Sequence, residues 1–185
     1  MLRDTVKKLL DTKARVVLAI DGCCASGKTT MAAALAAEFS ASVIHADDFF
    51  LMPHQRTEAR LCEVGGNFDY ERFKVEVVDA LAKGGAFSYR PHDCKRGVLA
   101  DPVTVAASRL TVVEGCYCMH PYLGTYYDLA VFMSASRELQ KARILRRDPR
   151  LHRRFFDEWI PMENAYFSAF GIEEKCHVRI HDNRE

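Results

Sequence analysis

The stretch that decides the fold reads ARVVLAI at Ala14–Ile20, then Gly22-Cys23-Cys24-Ala25-Ser26-Gly27-Lys28-Thr29, then TTMAAALAAEF at Thr29–Phe39. The first segment is apolar after Arg15 and rich in β-branched residues, which is typical of a buried strand. The last is rich in alanine, the strongest helix former. The loop between them matches G-x-x-x-x-G-K-[ST], the pattern of a phosphate-binding loop, and it lies in the strand–loop–helix setting that such a loop requires. A glycine-rich turn with no ligand is the alternative.

The loop pattern predicts which groups would meet a nucleotide. Its glycines let the backbone curl so that N–H groups point at phosphate oxygens, and the following helix adds the partial positive charge of its N-terminus. In such loops the lysine, here Lys28, reaches the β- and γ-phosphates, and the hydroxyl of Thr29 binds Mg²⁺. The sequence therefore predicts ATP and Mg²⁺ as cofactors, held by residues 22–30, of which Thr30 is the last.

The remaining apolar pattern alternates between strands and helices. Further strands are predicted at Ala41–His45, Arg109–Val113, Leu129–Met133 and His177–His181. Helices are predicted at Asp69–Lys83, Ser136–Arg147 and Arg154–Phe170, with Pro161 either kinking the last helix or marking its start. A small hairpin is predicted from Ala86–Tyr89 and Val98–Val103. This alternation indicates one α/β domain with a mostly parallel sheet.

Carboxylates follow two of the predicted strands directly. Asp47 and Asp48 come after the second strand, and Glu114 comes after Arg109–Val113. Because ligands of open α/β sheets bind beyond the carboxyl ends of the strands, these groups are expected beside the phosphates. Asp47 is a candidate base and also a candidate magnesium ligand, and Glu114 is a candidate for the magnesium shell. A helix cap at Asp47-Asp48 and a polar strand end at Glu114 are the alternatives.

Positive charge is concentrated downstream. Six arginines lie within twelve positions: Arg143, Arg146, Arg147, Arg150, Arg153 and Arg154. A break at Asp148-Pro149 suggests a short mobile lid whose arginines would close over ATP and stabilise the transferring phosphoryl group. The alternative is a solvated basic helix end.

Composition limits the class of protein. The chain has 185 residues, is 49% apolar and 28% charged, and carries a formal charge of +1. The charge balance argues against binding of nucleic acid or a membrane surface, and the N-terminus predicts an amphipathic helix rather than a signal peptide. The seven scattered cysteines do not suggest a disulfide framework, so a cytoplasmic location is expected. Zinc binding at Cys116, Cys118 and His120, or at Cys176, His177 and His181, is disfavoured by ligand spacing.

Several motifs together resemble the uridine kinase family, which includes uridine/cytidine kinase, nicotinamide riboside kinase and phosphoribulokinase. They are residues 22–30, His45-Ala46-Asp47-Asp48-Phe49-Phe50, Asn67-Phe68-Asp69, Val112-Val113-Glu114-Gly115, and Tyr127-Asp128-Leu129 followed by residues 143–148. They occur in the family's order and extend from about Val16 to His181. The resemblance implies a three-layer sandwich, with a five-stranded parallel sheet and helices on both faces. It also implies one kinase domain over 1–185, with an N-terminal helix at 1–12, an acceptor-side hairpin at 84–104 and a lid at 147–154.

The resemblance also implies roles for individual residues. Asp47 matches the catalytic aspartate, Thr29 and Glu114 match magnesium-associated residues, and Asp69 matches the aspartate that holds ribose hydroxyls. Arg143 and Arg147 match arginines near the phosphates, so Lys28, Asp47 and Arg147 form the expected catalytic set. The acceptor-binding set is Asp47, Asp69, Tyr89 and His92. The histidine expected three positions before Gly97 is Cys94 here, so His92 is the nearest substitute.

The expected activity is transfer of the γ-phosphate of ATP to a primary hydroxyl, the ribose 5′-hydroxyl of a uridine- or cytidine-like nucleoside. Two alternatives stay open. One is a kinase for another small alcohol, such as nicotinamide riboside, pantothenate, a sugar or a sugar phosphate. The other is an ATP-binding switch subunit without kinase activity. A homo-oligomer also stays open.

Overall fold

A computed structural model describes residues 2–147 and 149–183. Its strands are β1 Val16–Gly22, β2 Ser42–His45, β3 Phe87–Tyr89, β4 His92–Asp93, β5 Val98–Leu99, β6 Val103–Val105, β7 Leu110–Glu114, β8 Leu129–Ala135 and β9 Val178–Asp182. The centre is a five-stranded sheet in the order β2-β7-β1-β8-β9, and every pairing in it is parallel, as the sequence predicts.

Helices cover both faces of this sheet. They are α1 Leu2–Thr12, α2 Lys28–Phe39, α3 Glu58–Cys62, α4 (residues 70–83), α5 Arg137–Arg147, α6 (residues 152–170) and α7 Ile172–Lys175. Alternate side chains of β1 enter two different cores because successive residues of a strand point to opposite faces. Leu18 and Ile20 pack with residues of α1 and α2, whereas Ala19 packs with aromatic residues that include Phe73 and Tyr166 of α4 and α6. The result is a three-layer α/β sandwich.

Two of the helices contain a turn of π-helix. In α4 the π-turn is Lys74–Val78, between Tyr70–Phe73 and Asp79–Lys83. In α6 it is Phe155–Trp159, between His152–Arg154 and Ile160–Phe170. Pro161 is the second residue of the α-helical segment that follows the π-turn, a position where its missing N–H is tolerated. Proline therefore marks the start of an α-helical segment inside a longer continuous helix.

The hairpin differs from its prediction in one respect. The expected return strand Val98–Val103 is split into β5 and β6, which pair with β4 and β3 respectively. Pro102 lies between the two halves and cannot donate a hydrogen bond to a ladder. The hairpin therefore consists of two short ladders instead of one long one.

The carboxyl ends of β1, β2 and β7 meet at one edge of the sheet, where Ile20 and His45 both lie opposite Glu114. The functional groups predicted from the sequence follow these strands. The predicted break at Asp148-Pro149 falls in part outside the described residues, because Asp148 is not among them. In the described part of the chain, no helix has the length and apolar character needed to cross a membrane.

Candidate active site

The loop between β1 and α2 has the backbone of a phosphate cradle. Gly22 has φ +132°, and a side chain there would overlap the backbone of Met133 on the neighbouring strand β8. Gly27 has φ +95° and precedes the first residue of α2. Both positions need glycine because their φ angles are positive. At Gly22 the close approach of the Met133 backbone also leaves no room for a side chain. We refer to residues 22–29 as the phosphate loop.

Lys28 begins helix α2 and folds back over the phosphate loop. Its Nζ donates to the carbonyl oxygens of Gly22, at 2.7 Å, and Cys23, at 2.8 Å. Burial acts to lower the pKa of Lys28, but the negative groups around it, Glu163 foremost, outweigh burial and raise that pKa. The ammonium group is therefore retained at neutral pH at the point where phosphate oxygens would arrive.

Thr29 and Glu114 form an oxygen-rich pair beside Lys28. The Thr29 hydroxyl donates to Glu114 Oε1 at 3.1 Å, and His45 Nδ1 lies 2.6 Å from the same oxygen. The hydrogen bond to Glu114 is the main reason why the pKa of His45 is raised. A hydroxyl and a carboxylate are hard oxygen donors of the kind Mg²⁺ prefers, and the residues present fit that ion. Among residues 2–147 and 149–183 there is no group of three or more His, Cys, Asp or Glu side chains that could hold a metal by themselves.

Asp47 and Asp48 lie in a 3₁₀ turn, Ala46–Phe49, directly after β2. Asp47 is accessible to solvent but densely surrounded by protein, and this partial desolvation raises its pKa. The charges of Lys28 and Arg147 act in the opposite direction. Gly115 makes room for the turn, since a side chain at that residue would crowd Ala46 and come within 3.3 Å of Asp47 Oδ1. Asp47 is thus held between the phosphate loop and the end of β7.

Of the four acceptor-binding residues predicted from the sequence, Asp69, Tyr89 and His92 are buried and Asp47 is exposed. Asp69 caps α4 by accepting from the Arg72 N–H at 3.1 Å, and its other oxygen accepts from Gln55 Nε2 at 2.8 Å. Tyr89 donates its hydroxyl hydrogen to Asp48 Oδ2 at 2.8 Å.

His92, the fourth acceptor residue, lies beside Cys94, the residue that stands where a histidine was expected. Its Nδ1 is 3.6 Å from Cys94 Sγ. Burial lowers the pKa of His92, so the imidazole is neutral at physiological pH. His92 and Cys94 are therefore in contact with each other near the turn between β4 and β5.

A polar cavity of about 370 Å³ opens beside Asp69. It is lined by Leu51, Gln55, Arg60, Glu63, Asp69 and Glu71. Carboxylates of this kind accept hydrogen bonds from hydroxyl groups. A second cavity of about 460 Å³ lies around Val16 at the start of β1, away from the phosphate loop.

The two arginines predicted for the nucleotide are placed differently from each other. Arg143 of α5 donates to the Ala25 carbonyl at 3.1 Å and to Asp182 Oδ2 at 2.9 Å, so it braces the phosphate loop from outside. Arg147 is exposed, lies over the ring of Phe155, and acts on the pKa of Asp47 through its charge. Arg143 therefore contacts the phosphate loop, whereas the charge of Arg147 acts on Asp47.

Two buried carboxylates at the phosphate loop were not predicted from the sequence. Glu163 of α6 accepts from the Cys24 N–H at 2.9 Å. Asp21 of β1 accepts from the N–H groups of Gly22 and Met119 and from the Tyr166 hydroxyl. Burial is the main cause that raises the pKa of both. Glu163 could have been found from its helical spacing. It lies on the same inward-facing side of α6 as Tyr166, Phe167 and Phe170.

These features give the chain a three-layer α/β sandwich with a glycine-rich loop between β1 and α2. Comparison with solved structures finds chains of the same fold. The chain is similar to a protein described as a possible uridine kinase from Bacillus stearothermophilus, with 21% identity, a TM-score of 0.68, and coverage of 97% of this chain and 98% of that one. It is similar to a candidate fructose transport system kinase from Silicibacter sp. TM1040, with 20% identity, a TM-score of 0.67 and 97% coverage of both chains.

A third similar structure is YFH7 from Saccharomyces cerevisiae, a candidate P-loop kinase with a circular permutation. The identity is 13%, the TM-score is 0.63, and the alignment covers 99% of this chain and 98% of that one. No protein-family model matches the sequence, and no curated protein matches it as a sequence relative. At these identities the similarity shows the fold alone.

Proposed function

We propose that the protein is an ATP-dependent kinase that phosphorylates a primary hydroxyl of a small molecule, specifically the ribose 5′-hydroxyl of a uridine- or cytidine-like nucleoside. The observation that carries the proposal is the convergence of Lys28, the Thr29–Glu114 pair and Asp47 at the carboxyl ends of three neighbouring strands. Phosphoryl transfer needs these parts together: a phosphate cradle, a metal shell and a base for the acceptor.

Each residue has a part in the transfer. Asp47 accepts the proton of the acceptor hydroxyl as that oxygen bonds to the γ-phosphorus and the bond from the γ-phosphorus to the bridging oxygen breaks, which releases ADP. Lys28 and Arg147 offset the negative charge on the transferring group. Thr29 and Glu114 would hold Mg²⁺, which supplies further positive charge at the phosphates when bound. Arg143 contributes by holding the phosphate loop in place through its hydrogen bond to Ala25.

The acceptor would lie between the turn that carries Asp47 and the hairpin at 84–104. Asp69 would accept ribose hydroxyls, and Tyr89 and His92 would form the wall on the hairpin side. Residues 147–154 would form the lid over ATP.

A sugar is the second candidate acceptor, because the cavity beside Asp69 is lined by three carboxylates, an arginine and a glutamine. That lining suits a molecule with several hydroxyl groups. The similarity to a candidate fructose transport system kinase is consistent with this alternative.

The test is ATP consumption measured with Mg²⁺ and a panel of acceptors: uridine, cytidine, nicotinamide riboside, ribose, fructose and pantothenate. We expect one pyrimidine nucleoside to stimulate turnover well above the rate without acceptor, and Lys28→Ala to abolish that stimulation. Stimulation by a free sugar alone would contradict a nucleoside acceptor and favour a sugar kinase. ATP consumption that no acceptor changes would favour a switch subunit and contradict a kinase.

A further inference from the structure

Glu163 places a negative charge at the phosphate loop, where negative ligands are expected to bind. Its Oε2 accepts the Cys24 N–H at 2.9 Å, and the residue is 7% exposed. The phosphate loop presents its N–H groups to anions, and in this structure one of those groups already has a carboxylate as its partner. Glu163 thus takes the position of an anionic ligand.

The carboxylate also acts on the lysine of the loop. Among the negative groups that raise the pKa of Lys28, Glu163 has the largest effect, ahead of Asp47 and Asp21. Lys28 itself donates to two carbonyl oxygens of the loop. Both kinds of phosphate-binding group, an amide and the ammonium, are therefore satisfied within the protein when no nucleotide is bound.

Helix α6 holds Glu163 in this place by a second contact. Tyr166, one turn further along, donates its hydroxyl hydrogen to Asp21 Oδ2 at 2.9 Å, and Asp21 Oδ1 accepts the Gly22 N–H at 2.7 Å. The same face of the helix thus contacts both the strand end before the loop and the amide of Cys24. Glu163 is therefore a buried side chain of a helix that is itself tied to the strand end beside the loop.

We infer that Glu163 is an internal competitor for the phosphate site, a carboxylate that bound nucleotide has to displace and that lowers the affinity of the enzyme for phosphate-bearing ligands. The inference rests on nucleotide binding by the phosphate loop, which is part of the proposed function. Displacement costs the Cys24 hydrogen bond and brings a carboxylate close to the phosphates. Both effects favour release of the nucleotide product.

The test is calorimetric titration of wild type and variants with adenosine, ADP and ATP, the nucleotides in the presence of Mg²⁺. Glu163→Gln keeps an oxygen that can accept from Cys24 but removes the charge. We expect it to bind ATP more tightly, on the order of tenfold, and adenosine unchanged, because only the phosphates feel the charge. Glu163→Asp keeps the charge and should not bind ATP more tightly.

Glu38→Gln is the matched control, since it makes the same change of charge at an exposed residue near the end of α2, where Glu38 pairs with Arg3. It should leave all three affinities unchanged. Unchanged or weaker ATP binding by Glu163→Gln would overturn the inference, as would equal tightening of adenosine. If wild type binds ATP and the variants do not differ, only this inference fails. If neither wild type nor Glu163→Gln binds ATP, the proposed function fails with it.

Discussion

Two adjacent carboxylates, Asp47 and Asp48, have different surroundings although they share one turn. The Asp48 carboxylate accepts the Tyr89 hydroxyl, and its carbonyl accepts from Arg72 Nη2 at 2.8 Å. Asp48 therefore ties the turn to the hairpin and to α4. The Asp47 carboxylate instead faces the charges of Lys28 and Arg147. We therefore propose that Asp47 takes part in the chemistry and that Asp48 holds the turn in place.

Exchange of each carboxylate for an amide should separate these roles. Asp47→Asn removes the proposed base and should lower kcat by about 10²–10⁴, with the affinity for ATP largely retained because the phosphate loop and Lys28 are unchanged. Asp48→Asn should cost much less, because an amide oxygen can still accept from Tyr89. Steady-state kinetics of both variants with a separate ATP titration decides the matter. An inactive Asp48→Asn beside an active Asp47→Asn would mean that the base is assigned to the wrong residue.

Asp69 has a structural task in addition to its proposed one. It caps α4, so truncation affects the helix as well as any bound acceptor. Asp69→Ala should lower the free energy of unfolding by about 1 kcal/mol through loss of the cap, and it should also raise the KM for the acceptor. Asp69→Asn keeps a capping oxygen, so it should retain most of the stability while the acceptor KM still rises. Urea denaturation and kinetics together test this. Wild-type kinetics for Asp69→Asn would show that Asp69 serves only as a helix cap.

Helix α6 and strand β1 are joined by a buried hydrogen bond between Tyr166 and Asp21. Tyr166→Phe removes the hydroxyl that donates to Asp21 and leaves the ring in place. Hydrogen bonds to charged groups contribute about 1.5–3 kcal/mol, so the free energy of unfolding should fall by about that amount. Tyr122→Phe, at a residue that is 54% exposed, is the control and should stay within about 0.5 kcal/mol of wild type. Equal stability of the two variants in urea would show that this bond does not hold the strand end.

Some of these elements could be predicted from the sequence because their signals are local. The strand–loop–helix around Lys28 and the carboxylates after β2 and β7 follow from apolar runs and from the residues directly after them. The split return strand could also have been predicted, since Pro102 lies within it. The π-turns of α4 and α6 left no such signal, because a single wider turn hardly alters the apolar spacing.

The contacts made across the fold could not be predicted in the same way. Glu163 lies 139 positions from Cys24, and Arg143 lies 118 positions from Ala25. Nothing in the sequence near either residue indicates its partner. Arg143 was expected near the phosphates from the family resemblance, and its observed contacts are a loop carbonyl and Asp182. Tertiary packing alone determines which side chains reach the loop.

In the whole molecule, one carboxylate joins three parts of the site. Glu114 ends β7, accepts the hydroxyl of Thr29 from α2 and lies 2.6 Å from His45 of β2. The sheet aligns these parts because Ile20 and His45 are both paired with Glu114 in register. A metal held by Thr29 and Glu114 would therefore connect nucleotide binding to the packing of the entire sheet edge.

This connection predicts how the stability of the whole chain responds to ligand and metal. A ligand at one hundred times its Kd adds about 2.7 kcal/mol to the free energy of unfolding. For a chain of this length that is a rise in Tm of about 5–10 °C, since each kcal/mol corresponds to about 2–4 °C. ATP with Mg²⁺ should give this rise in wild type, and removal of Mg²⁺ by a chelator should reduce it.

Glu114→Gln should abolish the part of the rise that depends on Mg²⁺, because an amide can still accept from Thr29 but is a poorer partner for the ion. Glu38→Gln, with the same change of charge at an exposed residue that pairs with Arg3, should respond as wild type does. Melting curves with ATP alone, Mg²⁺ alone and both together separate the contributions. If Glu114→Gln keeps the full magnesium-dependent increment, the ion is held by other groups. In that case the bond between Thr29 and Glu114 serves the sheet edge and not the metal.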